Sequence, residues 1–423
     1  MARVIRRHWT SEIAEGLTRR DRRSCDYAAY VPDRLVGRRI RLDGDVATDV
    51  AEAERAVARL DAEAAALADT EALARLLLRA ESVASSRIEG LEVGGRRLLR
   101  AELERELGED PRDITANEVL ANIDAMRWAA QVVSAGSSLT VPQLLEAHRR
   151  LLSGTRLEQY GGTIRLQQNW IGGSSYNPCS AVFVPPPPEL VDELVHDLVD
   201  FCNADDLPSV AQAAVAHAQF ETIHPFIDGN GRIGRALIHL VFRRRAISTS
   251  ALVPVSLILA TWSGDYVEGL MQYRYRGAAN STAAHEATNQ WVAFFARATR
   301  RAAEDALQFE SRIRELRQKW SDLAGIPRAN SALSLLLDAL PGAPLLTVGG
   351  AAALIGRSFQ STNEAIKRLV LARVLTQVNI GRRNRAFEAP SVIDAFTTLE
   401  RQLASPEGDT RSSPPSRRVP RRR

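Results

Sequence analysis

The sequence predicts an all-α fold: a helical domain broken by one β-hairpin flap, a helical region before it and a small winged helix-turn-helix domain after it. Three observations lead there. Long stretches such as 46–85 are rich in Ala and Leu and poor in breakers, and both residues are strong helix formers. Apolar residues recur at steps of three and four, as at Leu60, Ala64 and Leu67 and again at Leu73, Leu76 and Leu77. Stretches that read as strand are short and bounded by Gly or Pro, around 160–184 and 374–389.

At 423 residues the chain is long enough for more than one domain, and 45% apolar with 25% charged residues is ordinary for a globular protein. The formal charge is +4, and Ser405 to Arg423 alone carries six arginines against Glu407 and Asp409, which is the same +4. The rest is near neutral, which excludes a uniformly basic nucleic-acid binder and leaves only local patches. Cys25, Cys179 and Cys202 are odd in number and far apart, with no Cys-x-x-Cys pair and no zinc spacing. They are expected to be free thiols in a reducing compartment. No apolar run follows the N-terminal charges, and the longest apolar stretch, 251–260, is too short for a bilayer. A cytoplasmic protein without a membrane partner is expected.

Residues 1–45 are arginine-rich, carry Pro32 and Gly37, and read as an irregular arm. The region 46–120 is helical, with two helices over 46–85 parted near Asp69. In Ser85-Ser86-Arg87-Ile88-Glu89-Gly90, Ser85 and Glu89 share a helix face, and Gly90 ends the helix or admits another backbone. Taken alone, this segment also reads as a plain helix end with a surface glutamate.

Residues 121–300 form the main domain. Thr140 and Pro142 open a helix that runs to about Leu152. From Tyr160 the texture changes: Gly161, Gly162, Gly172 and Gly173, then Phe183-Val184 and four prolines, predict a hairpin or flap around the loop 174–181. Helices return at 189–203, 209–222, 232–244, 253–260, 265–273 and 284–303.

Over 301–326 a linker helix shows Ala302, Ala306, Phe309, Ile313, Leu316, Trp320 and Leu323 in steps of four and three. This seam, about three heptads long, packs within the protein or across a homodimer. Residues 327–400 are expected to form the winged-helix domain, in which 345 to about 390 reads helix, turn, helix, two strands. Thr347 caps a helix to Ile355, Gly356 turns the chain, 361–371 is the second helix, and 374–389 is a wing around Gly381-Arg382-Arg383-Asn384. The tail 401–423 is Pro-, Ser- and Arg-rich and is expected to be disordered.

The stretch with the densest chemistry is His224-Pro225-Phe226-Ile227-Asp228-Gly229-Asn230-Gly231-Arg232-Ile233-Gly234-Arg235. A histidine takes a proton near neutral pH. One carboxylate with phosphate oxygens is enough to hold a hard cation. Backbone N–H groups of Gly229, Asn230 and Gly231 form an anion nest, where Gly permits the backbone and the close approach. Ile233, Leu237, Leu240 and Val241 place a helix directly after the turn, so its N-terminus faces the same anion. Arg232 and Arg235 in the first helical turns are unfavourable there without an anion to bind. Phe226 is expected to be a core anchor. The stretch is not a Walker loop, which needs Gly-x-x-x-x-Gly-Lys-Ser/Thr, and its flanks are helical, unlike a dinucleotide-binding turn.

This stretch resembles the signature of the Fic family, His-Pro-Phe-x-Asp/Glu-Gly-Asn-Gly-Arg-x-x-Arg, at every defined position. Gln168-Asn169-Trp170-Ile171-Gly172 and Phe183-Val184-Pro185-Pro186-Pro187-Pro188 are similar to the segments that bracket the family's flap. Ser85 to Gly90 resembles its inhibitory motif, Ser/Thr-x-x-x-Glu-Gly/Asn. The winged-helix-like C-terminus also occurs in bacterial members, so the resemblance covers about residues 25–390.

The resemblance implies transfer of AMP from ATP to a Tyr, Ser or Thr hydroxyl of target proteins, the enzyme itself included, with release of pyrophosphate. His224 is then the base and Asp228 the ligand of Mg²⁺. Gly229, Asn230, Gly231, Arg232 and Arg235 hold the phosphates, with Arg235 on the γ-phosphate. Asn169, Trp170, Ile171 and Gly172 line the nucleotide site. Tyr266 falls where the family carries an aromatic for the base, although the usual Tyr-Tyr pair is Tyr266-Val267 here. Glu89 is implied to pair with Arg235 and so to block productive ATP binding, with Ser85 and Gly90 supporting that helix end.

Two alternatives stay open. The same site serves transfer of another nucleotide or removal of AMP. A DNA-binding regulator is the other class: Ser361, Thr362, Asn363, Lys367 and Arg368 on the second C-terminal helix and Arg382, Arg383 and Arg385 on the wing suit DNA, while winged helices equally dock proteins.

Overall fold

The computed structural model describes residues 1–12, 15–65, 70–109, 111–380 and 384–402. In chain order it has strands β1 (Arg3–Trp9) and β2 (Cys25–Val31), then helices α1 (Gly44–Ala65), α2 (Thr70–Ile88), α3 (Gly95–Glu106), α4 (Ile114–Val132) and α5 (Val141–Leu152). The flap region follows. Helices α6 (Val191–Asn203), α7 (Ser209–Ile223), α8 (Asn230–Arg244), α9 (Val255–Thr261), α10 (Ser263–Tyr273) and α11 (Thr282–Ala324) come next. The chain continues with α12 (Ala332–Ala339), β3 (Leu345–Leu346), α13 (Val348–Ile355), α14 (Phe359–Leu371), β4 (Thr376–Ile380), β5 (Asn384–Glu388) and α15 (Pro390–Gln402). The mostly helical class is as expected. The break between α1 and α2, the turn 381–383 and the tail from 403 lie outside the described residues.

The chain divides into two compact units, the first formed by Met1–Glu54, Trp128–Ala246 and Gly264–Arg297. Its centre is α7, buried along its whole length. Alanines 211, 213, 214, 216 and 218 keep its surface low, and α8 packs closely on it. Gly234 permits the close approach: a Cβ there would sit 2.7 Å from Glu221 Oε1 and 3.0 Å from Phe220 Cδ1. Trp291 of α11 is buried against the same helix and donates from its indole nitrogen to the Ala214 carbonyl at 2.7 Å. The start of α5 is a capping box, with Thr140 accepting from the Gln143 amide and the Gln143 side chain accepting from the Thr140 amide.

The arm 1–45, expected to be irregular, is built on an antiparallel ladder from Arg3↔Val31 to Trp9↔Cys25. Arginine density hid the strand, because Arg7, His8 and Asp26 are exposed ladder positions that carry no apolar signal. The expectation of free thiols fails as well. Cys25 and Cys179 are joined in a disulfide with Cα atoms 5.7 Å apart, and only Cys202 is a free thiol, buried so that its pKa is pushed up to about 12. A separation of 154 residues leaves no spacing signal for that pair.

The flap is also shorter than a hairpin. It is one bridge, Ile171↔Phe183, beyond which Gly172 and Gly173 turn the chain at positive φ and Pro178–Ser180 forms a 3₁₀ turn. Prolines 185–188 have no N–H to extend the ladder.

The second unit comprises Arg55–Arg127, Ile247–Ser263 and Ala298–Arg423. Here α2 packs on α9, and the buried carboxylate of Glu81 accepts from the Ser256 amide at 2.7 Å at the start of α9. Asn122 of α4 donates to the Ser82 carbonyl and to Ser86 Oγ, stitching α4 to α2. The predicted helices 284–303 and 301–326 prove to be one helix, α11. From α13 to β5 the elements follow the expected order, α12 and β3 precede them in addition, and the small sheet runs β3-β5-β4.

Candidate functional site

The site is built on the junction of α7 and α8. His224 ends α7 in the left-handed region (φ 51, ψ 61), and its amide donates to the Phe220 carbonyl at 2.8 Å. That backbone is costly for a non-glycine residue, more so before Pro225. It is held by Arg165, whose Nε donates to the His224 carbonyl at 2.8 Å. Glu221 lies one turn back, with its Oε2 at 4.0 Å from His224 Nδ1.

The chain then folds over the buried Phe226 ring. Asn230 accepts from the Phe226 amide and donates to the Phe226 carbonyl, both at 2.8 Å. Asn169 adds a bond to that carbonyl at 3.0 Å. His148 stacks on Phe226 with centroids 3.7 Å apart. Its Nδ1 accepts from the Gly162 amide at 3.0 Å, so its proton is on Nε2, which donates to the Asp228 carbonyl at 3.1 Å. Burial holds this ring neutral, with a pKa of about 4.

Gly229 caps α8 at φ 76, and no side chain caps this end. The first N–H groups of α8 therefore point out of the turn, as an anion site requires. The Asp228 carboxylate stands beside them, about half exposed, with Arg232 at 3.3 Å. Arg232 and Arg235 are buried, at 5% and 1% exposure, so two guanidinium groups are fixed at a positive helix end.

A Mg²⁺ ion fits this donor set. A half-exposed carboxylate lies at the lip of an anion-binding turn, where one or two carboxylates and phosphate oxygens are the usual ligands.

Two family models match the chain. One, described as Fic/DOC family, covers residues 138–242, and one described as Fic/DOC family N-terminal covers residues 47–131. Over these two stretches the chain is similar to the Fic/DOC family.

Among curated relatives, protein adenylyltransferase fic-1 of Caenorhabditis elegans is 32% identical over 155 residues, which is 36% of this chain and 28% of that protein. Protein adenylyltransferase Fic of Culex quinquefasciatus is 33% identical over 198 residues, 44% of this chain and 37% of that one. The chain thus spans about a third of the length of the curated relatives it matches. A crystal structure of a Fic family protein from Desulfovibrio desulfuricans G20 shares the fold, with a TM-score of 0.51 at 20% identity over 82% of this chain and 97% of that one.

Within the first unit, the structure brings together His224, Asp228, Gly229, Asn230, Gly231, Arg232 and Asn169. Trp170, Ile171 and Gly172 lie on the flap. The Trp170 indole donates to the Ser174 carbonyl, and Ile171 makes the bridge to Phe183. Tyr266 is placed differently from an open base-stacking position. It is 3% exposed, its hydroxyl meets His217 Nε2 at 2.9 Å, and its ring lies parallel to that of His217.

Ser85 and Glu89 belong to the second unit. Ser85 is buried in the last turns of α2. Gly90, at φ 79, closes the helix: its amide donates to the Arg87 carbonyl and the Leu91 amide to the Ser86 carbonyl. That is a Schellman end with Glu89 as the C-cap.

Arg165, His148 and Glu221 were not singled out in the sequence. His148 did leave a trace, a polar residue among Leu144, Leu151 and Leu152 on an apolar helix face. Arg165 left none, since its partners are main-chain carbonyls.

Proposed function

We propose that this site transfers AMP from ATP to a hydroxyl side chain of target proteins, itself included. The observation that carries the reading is the junction itself: a proton acceptor, His224, fixed by its backbone beside an uncapped helix N-terminus that bears Asp228, Arg232 and Arg235.

In the reaction, the hydroxyl oxygen attacks the α-phosphorus, and its proton passes to His224. The bond from that phosphorus to the bridging oxygen breaks, and pyrophosphate leaves with the electron pair. The N–H groups of the turn and the arginines hold the phosphate oxygens as charge grows on them. Asp228 would hold Mg²⁺, which neutralises phosphate charge when bound. Names of the relatives support the reading: both are called protein adenylyltransferases.

Glu89 is proposed to restrain this activity. Support comes from the Ser85–Gly90 segment, which resembles the inhibitory motif of the Fic family and closes the end of α2. Incubation with α-labelled ATP and Mg²⁺ tests both statements: Glu89→Gly labels itself and added proteins more than the unaltered chain, and His224→Ala does not label.

The DNA-binding alternative gains no support from α14. Lys367 is paired with Glu364, and Arg368 donates to the Ala324 and Gly325 carbonyls. Two large apolar side chains, Phe359 and Leu371, are exposed on the same helix. Arg382 and Arg383 lie outside the described residues.

A further inference from the structure

Arg165 is 1% exposed, in a unit whose catalytic loop and flap are separate stretches of chain. Its guanidinium reaches main-chain carbonyls at the end of α7 and at both ends of the flap. Nε donates to His224 O at 2.8 Å, and one terminal nitrogen also reaches Ile223 O at 3.4 Å. The other donates to Gln167 O at 3.0 Å, where the flap begins. The nitrogen shared with Ile223 also donates to Pro186 O at 2.6 Å, where the flap ends. The Arg165 amide itself donates to Pro225 O at 2.9 Å.

Two of these carbonyls are the last of α7, the negative end of its dipole, where a cation is favourable. That accounts for a cation, but not for this fork. A planar guanidinium with five fixed donors is the side chain that can hold carbonyls on several sides at once, and an ammonium cannot.

We propose that Arg165 is a positioning residue that locks the flap to the base, so that a hydroxyl presented along the flap meets His224 in register. The proposal rests on the transferase reading above. Neither flap end can shift without breaking a bond to the group that also holds His224 in its left-handed backbone. The phosphate turn is held by residues outside the flap, His148 and Asn230. Loss of the fork should therefore spare nucleotide binding and damage transfer.

The test compares the full chain with Arg165→Lys. Three quantities are read: binding of a fluorescent ATP analogue with Mg²⁺, AMP incorporation from labelled ATP, and amide hydrogen exchange. The expected result is unchanged nucleotide affinity, transfer lowered on the order of a hundredfold, and faster exchange at 168–184 and 222–226 together. Unchanged transfer, or affinity falling in parallel with transfer, overturns the proposal.

Exchange in the unaltered chain decides the matter if the variant does not fold. The amides of Arg165, Ile171 and His224 should then open with one shared free energy, as a single cooperative unit. Separate opening energies overturn the coupling. If the unaltered chain and Glu89→Gly transfer no AMP, the functional reading falls, while the exchange measurement still judges Arg165 by itself.

Discussion

Asn230 closes its side-chain amide on the backbone of Phe226, accepting from the N–H and donating to the carbonyl at 2.8 Å each. The residue is 3% exposed, and the Phe226 N–H depends on it, whereas the carbonyl also accepts from Asn169 at 3.0 Å. Asn230→Ala should leave a buried donor unpaired, at a cost of about 1–3 kcal/mol. Asn230→Asp can still accept from the N–H but cannot donate to the carbonyl. Thermal unfolding should rank the unaltered chain above Asp and Asp above Ala. Equal melting of the two variants would contradict this role.

Gly234 allows α8 to meet α7 where a Cβ would lie 2.7 Å from Glu221 Oε1. Gly234→Ala must displace a side chain one turn from His224, and overpacking of this kind costs about 1–3 kcal/mol. Melting temperature and AMP incorporation are expected to fall together. A variant with unchanged stability would show that the helices have room to part.

His217 is fully buried against Tyr266, and burial, then the Arg235 charge, lowers its pKa from 6.5 to about 3. A depressed histidine favours the folded state above the unfolded pKa. That contribution is complete above about pH 6.5 and is lost as the pH falls from there towards 3. Between pH 6 and 4 it gives a slope approaching about 1.4 kcal/mol per pH unit. Denaturant titrations of the unaltered chain and His217→Gln should show a shallower pH dependence in the variant. Parallel curves would remove His217 as a source of acid sensitivity.

The Cys25–Cys179 disulfide ties β2 to the loop beyond the flap bridge, where Asp21 also accepts from Ser174 Oγ at 2.6 Å and Asn177 donates to the Arg20 and Asp21 carbonyls. Removing a bridge of this kind typically costs about 2–5 kcal/mol. Cys25→Ser with Cys179→Ser, or reduction of the unaltered chain, should lower stability by that order. Mass measurement after thiol alkylation shows whether the bridge is formed in the isolated protein.

Much of this site was legible in the sequence because its chemistry is contiguous. His224 to Arg235 holds a base, a carboxylate, a turn and two arginines in twelve residues, and the helices on either side follow from apolar spacing. Helix ends with local chemistry were legible too: Thr140 with Gln143, Thr347 with Gly350, and Gly90. What sequence reading missed is non-local. The β1–β2 ladder, the 154-residue cysteine pair and the Arg165 fork each join segments that no spacing connects. Tyr266 shows the converse: a residue type suited to a base pocket is engaged by His217 in the core.

The most direct measurement is AMP incorporation from α-labelled ATP with Mg²⁺ by the unaltered chain, Glu89→Gly and His224→Ala with Glu89→Gly. The account predicts weak labelling, strong labelling and none, in that order. Equal labelling with and without His224 would contradict it.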